Sequence, residues 1–116
     1  MSVSATIQGV WRDLTESQPK IAQAWGATHC PGPMQQIATD FVLILSEQIG
    51  LPVRQFKPAD RFINDLKVDD LDTVEVVLAI EEHFKLPIPA EDAERLVTIQ
   101  DFICYLHQRI HSAKSE

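Results

Sequence analysis

An all-α domain is what this chain predicts: a four-helix bundle with a short third helix, preceded by a helical N-terminal extension. Apolar residues recur at helical spacing in separate stretches, and Pro and Gly mark the boundaries between them. No stretch alternates apolar and polar residues as a half-buried strand would. A chain of 116 residues, 45% of them hydrophobic, suits one domain with one modest core.

The extension is assigned to residues 1–33 and the bundle to residues 34–116. Val3, Ile7, Val10, Trp11 and Leu14 form an amphipathic stripe. A second piece starts near Pro19, carries Ile21, Ala24 and Trp25, and is expected to stop at Gly26. Trp11 and Trp25 suit either burial against the bundle or docking to another chain, because aromatic anchors serve both. His29-Cys30-Pro31-Gly32-Pro33 interrupts any continuous helix, since proline lacks the N–H and clashes with the preceding turn.

Beyond Pro33, Ile37, Phe41, Ile44, Leu45 and Ile49 trace one helical face that Gly50 should end. The stretch from Leu51 to Asp69 is too long to be structureless, so Leu51, Val53, Phe56, Phe62, Ile63 and Leu66 are expected to pin it to the core, with a helical turn within 58–65. Asp69 is placed to cap the next helix, in which Leu71, Val74, Val77, Leu78 and Phe84 are expected to face inward and Asp72, Glu75, Glu81 and Glu82 to stay in water. Pro87 should end it. Residues 89–96 form a short third helix with acids in its first turn. Thr98 and Asp101 make a capping-box-like start for the last helix, with Ile99, Phe102, Ile103, Leu106 and Ile110 inward.

The formal net charge is −7. Arg12 and Lys20 balance Asp13 and Glu16 within residues 1–33, so the whole excess lies in the bundle. Such a field disfavours nucleic acid and anionic membranes and favours a basic-surfaced protein partner. No apolar run exceeds five residues, as at Phe41 to Leu45, against the ~20 of a spanning helix, so no membrane insertion is expected. The start of the chain lacks a secretory signal pattern, which makes the cytoplasm the expected location. Cys30 and Cys104 can pair only if folding brings them together, and reduced thiols are the expectation there.

Several stretches in register carry a resemblance. Ile44-Leu-Ser-Glu-Gln-Ile-Gly50, Phe62-Ile-Asn-Asp-Leu66, Asp69-Asp-Leu-Asp-Thr-Val-Glu75, Ala79-Ile-Glu-Glu-His-Phe84 and Ile88-Pro-Ala-Glu-Asp-Ala-Glu94 look like the corresponding parts of acyl carrier proteins of the bacterial fatty-acid type. The pattern runs from about residue 37 to 106 without a gap. It implies the acyl-carrier fold and a non-enzymatic role, with docking to basic-surfaced biosynthetic enzymes or regulators through Asp69, Leu71, Asp72, Glu75, Glu81 and Glu82.

Two departures bear on function. Asp70 stands where the resemblance puts the serine that carries phosphopantetheine, and Lys67-Val68 replaces the usual glycine and small residue before it. A carboxylate has no hydroxyl to attack coenzyme A, so no cofactor is expected unless residue 70 is serine in the parent protein. Asp70 then reads as a solvated acid favoured by the helix dipole, as a partial mimic of a phosphate's charge, or as an introduced replacement in a genuine carrier. A free fatty acid in the bundle is a further possibility, with core packing the simpler reading of the same apolar residues. Ser46, Ser112 and Ser115 lie in the wrong places to replace the serine. Cys104, His107 and His111 share a helix face, but no fourth metal ligand is visible.

Overall fold

The computed structural model describes residues 19–115, with side chains to His111. The stripe from Val3 to Leu14, with Trp11, lies outside the described residues. Residues 19–29 are helical (α1), followed by a 3-10 turn at Gly32–Met34, then α2 (Gln35–Ile49), a 3-10 turn at Val53–Gln55, α3 (Asp70–Phe84), α4 (Ala90–Ala93) and α5 (Ile99–Ser115). The described part is thus all-α, the one β feature in it being an isolated bridge between Arg61 and Thr98.

The core forms where α2, α3 and α5 meet around the long connection. Ile37, Phe41 and Leu45 of α2 are buried, with Ala38 and Val42 filling the same face. Ile99, Phe102, Ile103 and Leu106 of α5 oppose them. Phe41, Phe62 and Phe102 form an aromatic triangle, with ring centroids 4.9 Å apart for Phe41 and Phe102 and near-perpendicular packing of Phe62 on Phe102. Such edge-to-face contacts add to the area they bury. The connection is pinned by Val53, Phe56, Phe62 and Val68, and its 61–66 portion closes a helical turn through Asp65 N–H to Arg61 O at 2.9 Å.

Five expectations change. Gly26 does not stop α1, which continues to residue 29. A Cβ there would sit 2.6 Å from Thr39 Oγ1 and 2.8 Å from the Gln35 carbonyl oxygen, so glycine marks the close approach of α1 to α2. Ile63 points outward, 64% exposed, because the 61–66 turn directs Phe62 to the core instead. α3 ends at Lys85 in the left-handed region (φ 55°), ahead of Pro87, where its N–H bonds to Glu81 O. α4 is four residues long, shorter than 89–96. The largest difference concerns the rotation of α3. Val76 and Ile80 are buried, Val77 and Phe84 are half-buried, and Leu71, Val74 and Leu78 are exposed at 68, 53 and 57%. Thr73, Val76, Val77, Ile80 and Phe84 make one stripe at helical spacing, and Leu71, Val74 and Leu78 make a second. Both stripes suit burial, and packing on α2 takes the first.

α1 contributes Ala22 and Trp25 to the same core. The Trp25 indole donates to the Phe56 carbonyl oxygen at 2.8 Å, so a buried polar atom on each side is satisfied.

Candidate functional site

The residues around position 70 are held by a chain of local bonds. Asp69 takes an extended conformation and its Oδ1 accepts from the Asp72 N–H at 2.8 Å, the N-cap bond expected from its place in the sequence. Thr73 Oγ1 donates to the Asp69 carbonyl oxygen at 2.9 Å, so its hydroxyl is turned back onto the helix. Asp70 is the first residue of α3, exposed, with Leu71 beside it.

The approach to α3 is equally fixed. Arg61 N–H donates to Asp65 Oδ2 at 2.8 Å, and that bond, opposed by desolvation and helped by the Arg61 charge, holds the Asp65 carboxyl below its ordinary value. Lys67 then adopts φ 59°, a left-handed conformation that suits glycine, before Val68 turns into the core and its N–H bonds to Phe62 O at 2.9 Å. Phe62 N–H to Val97 O and Ile99 N–H to Asp60 O, both 3.1 Å, fasten this platform to the start of α5. There the capping box closes in both directions: Asp101 N–H donates to Thr98 Oγ1 and Thr98 N–H to Asp101 Oδ2.

Of the six residues expected to meet a partner, Asp69, Leu71, Glu75 and Glu82 are exposed and Asp72 is half-exposed. Glu81 differs. It is half-buried and its Oε2 accepts from the Ile88 N–H at 2.7 Å, bracing the turn after α3. Val74 and Leu78, assigned to the core by their spacing, join Leu71 on the exposed face. The signal for this was present in the excess of apolar positions on α3, more than one buried stripe can use.

Two concavities flank the site. A cleft of about 330 Å³ beside Asp70 is lined by Arg61, Phe62, Ile63, Asn64, Thr73, Ala93, Glu94, Leu96 and Val97. Behind it, Phe62, Val68, Val76, Val77, Ala93, Leu96 and Phe102 surround a space of about 20 Å³. That space is far smaller than the ~150 Å³ cavity that accepts benzene.

Among the described residues, no group of three or more His, Cys, Asp or Glu could hold a metal ion, and no helix is long and apolar enough to cross a membrane. The His107 and His111 rings pack at a 58° tilt with centroids 4.1 Å apart. Ser46 is buried in α2 with its hydroxyl donating to the Leu51 carbonyl oxygen.

A family model described as the phosphopantetheine attachment site matches residues 40–106. The acyl carrier protein of Helicobacter hepaticus is 43% identical over 63 residues, covering 54% of this chain and 83% of its own length. That of Bdellovibrio bacteriovorus is 48% identical over 66 residues, covering 57% and 85%. With the matched region spanning the capped α3, the short α4 and the first half of α5, the chain belongs to the acyl carrier protein family, the family of the phosphopantetheine attachment site.

Proposed function

We propose that this chain is a non-enzymatic docking, regulatory or scaffolding partner of fatty-acid or polyketide-type biosynthetic enzymes, built on the carrier fold but without the phosphopantetheine arm. The observation that carries this reading is Asp70: a carboxylate at the head of α3, where the resemblance places the attachment serine. The residues present do not fit the prosthetic group. Attachment needs a hydroxyl that displaces part of coenzyme A, and a carboxylate could give only a hydrolysable anhydride. The neighbouring Thr73 hydroxyl offers no substitute, since it is turned back onto the Asp69 carbonyl oxygen.

Docking is supported by the exposed Leu71, Val74 and Leu78 stripe, bordered by Asp69, Asp70, Asp72, Glu75 and Glu82. An apolar strip within acids suits a partner carrying an apolar surface among lysines and arginines, whose charges steer encounter. Glu81 contributes less, because its carboxylate already braces the Ile88 amide. The small interior space gives no support to a bound fatty acid in this conformation. In this reading residues 1–33 form an extension whose 19–29 portion caps the bundle through Ala22 and Trp25.

Incubation with coenzyme A and a broad-specificity phosphopantetheinyl transferase, followed by intact mass measurement, tests the reading. No adduct is expected on the unaltered chain, and a stable one would overturn it. Asp70→Ser is expected to accept the group. Adding Leu78→Ala should lower the transferase's kcat/KM for Asp70→Ser about tenfold, the effect of truncating one apolar anchor worth ~1.4 kcal/mol. Refusal of Asp70→Ser would count against a carrier-like docking face and point to Lys67-Val68.

A further inference from the structure

Folding brings the two cysteines of the chain, 74 positions apart in sequence, onto one side chain. Cys30 Sγ lies 3.9 Å from Gln100 Oε1, and Gln100 Nε2 lies 3.2 Å from Cys104 Sγ. Both thiols are free. Their surroundings differ in a way that gives them different work. Cys30 is buried at the end of α1, only 2% exposed. Cys104 is half-buried and lines an open cleft of about 320 Å³ with Asp92, Arg95, Asp101, Tyr105 and Gln108.

We propose that Cys104 and Cys30 are a redox-active thiol pair, Cys104 meeting a small disulfide of the glutathione class in the cleft and Cys30 resolving it to an internal disulfide. In the first step the Cys104 thiolate, to which the Gln100 amide N–H can donate, attacks one sulfur of the small disulfide. A Cys104 mixed disulfide forms and one small thiolate leaves. In the second step Cys30 loses its proton and attacks Cys104 Sγ, forming the Cys30–Cys104 bond and expelling the other small thiolate. Two protein thiols are oxidised, one small disulfide is reduced to two thiols, and the departing thiolates take up the protons.

The order follows from access and charge. Burial, and secondarily the neighbouring Cys104, push the Cys30 thiol above its ordinary value, which makes it a poor first nucleophile. Gln100 stands between the sulfurs, so its side chain must swing aside for the bond to form. The product would tie the end of α1 to α5 and close a loop that contains α2, α3 and α4, restricting the unfolded chain.

The full-length native protein, fully reduced, is to be treated with oxidised glutathione, blocked with an alkylating agent and measured by intact mass and non-reducing peptide mapping. The expected product has lost two hydrogens, takes up no alkylating agent, yields one linked peptide pair containing Cys30 and Cys104, and melts at a higher temperature than the reduced form. Cys30→Ser is expected to stop at a glutathione adduct on Cys104. A lasting adduct on Cys104 of the unaltered chain with Cys30 still alkylatable, a disulfide between two chains, or pairing only in denaturant would each overturn the proposal.

Discussion

Lys67 illustrates how a residue with a Cβ is carried in a backbone conformation that suits glycine. Its φ of 59° costs a residue with a Cβ about 1–2 kcal/mol relative to the right-handed region, part of which glycine would return as chain entropy. Lys67→Gly should therefore stabilise the fold by about 0.5–1 kcal/mol, read as a raised denaturation midpoint with an unchanged slope. Stabilisation is expected because the turn, fixed by Val68 N–H to Phe62 O, keeps its geometry whichever residue occupies the position. Asp69, two residues further on, was readable directly. Its cap bond reaches only three residues ahead, so sequence distance and spatial distance coincide. The absence of a hydroxyl at position 70 was equally plain, since it depends on residue identity alone.

Helix α3 shows what spacing leaves open. Two apolar stripes lie on it, Val76, Val77, Ile80 and Phe84 on one side and Leu71, Val74 and Leu78 on the other, and either could have been the buried one by periodicity. Packing against α2 selects the first, with the His83 imidazole and Asp40 carboxylate meeting at 3.2 Å alongside. Stability measurements separate the two. Ile80→Ala, a fully buried position, is expected to cost ~2–5 kcal/mol, whereas Leu78→Ala should stay within about 0.5 kcal/mol. Equal losses would contradict the assignment of Leu78 to a free face. Gly26 shows the same limit in another form: as punctuation it suggested a stop, while the nearby Thr39 hydroxyl makes it a packing site. Caps and breaks at Gly50 and Thr98 were legible because their partners are neighbours in the chain.

Over the whole chain, the −7 charge lies entirely beyond residue 33, on the same portion that carries the exposed apolar stripe. Docking to a basic partner should accordingly weaken with ionic strength. For Asp70→Ser and the transferase, KM is expected to rise several-fold between about 50 mM and about 300 mM salt, with kcat little changed, because rim charges act mainly on encounter. A flat response would assign docking to the apolar stripe alone. Helix content, the order of elements, the capped start of α3 and the acidic balance all follow from residue identity and short-range spacing, which the sequence displays. Which stripe of α3 is buried, why Gly26 is needed, how Trp25 reaches the Phe56 carbonyl and how Cys30 and Cys104 come to share Gln100 depend on contacts between distant segments. Those contacts exist only once the helices have packed, because burial is decided by the complementary surface a residue meets and not by its own hydrophobicity.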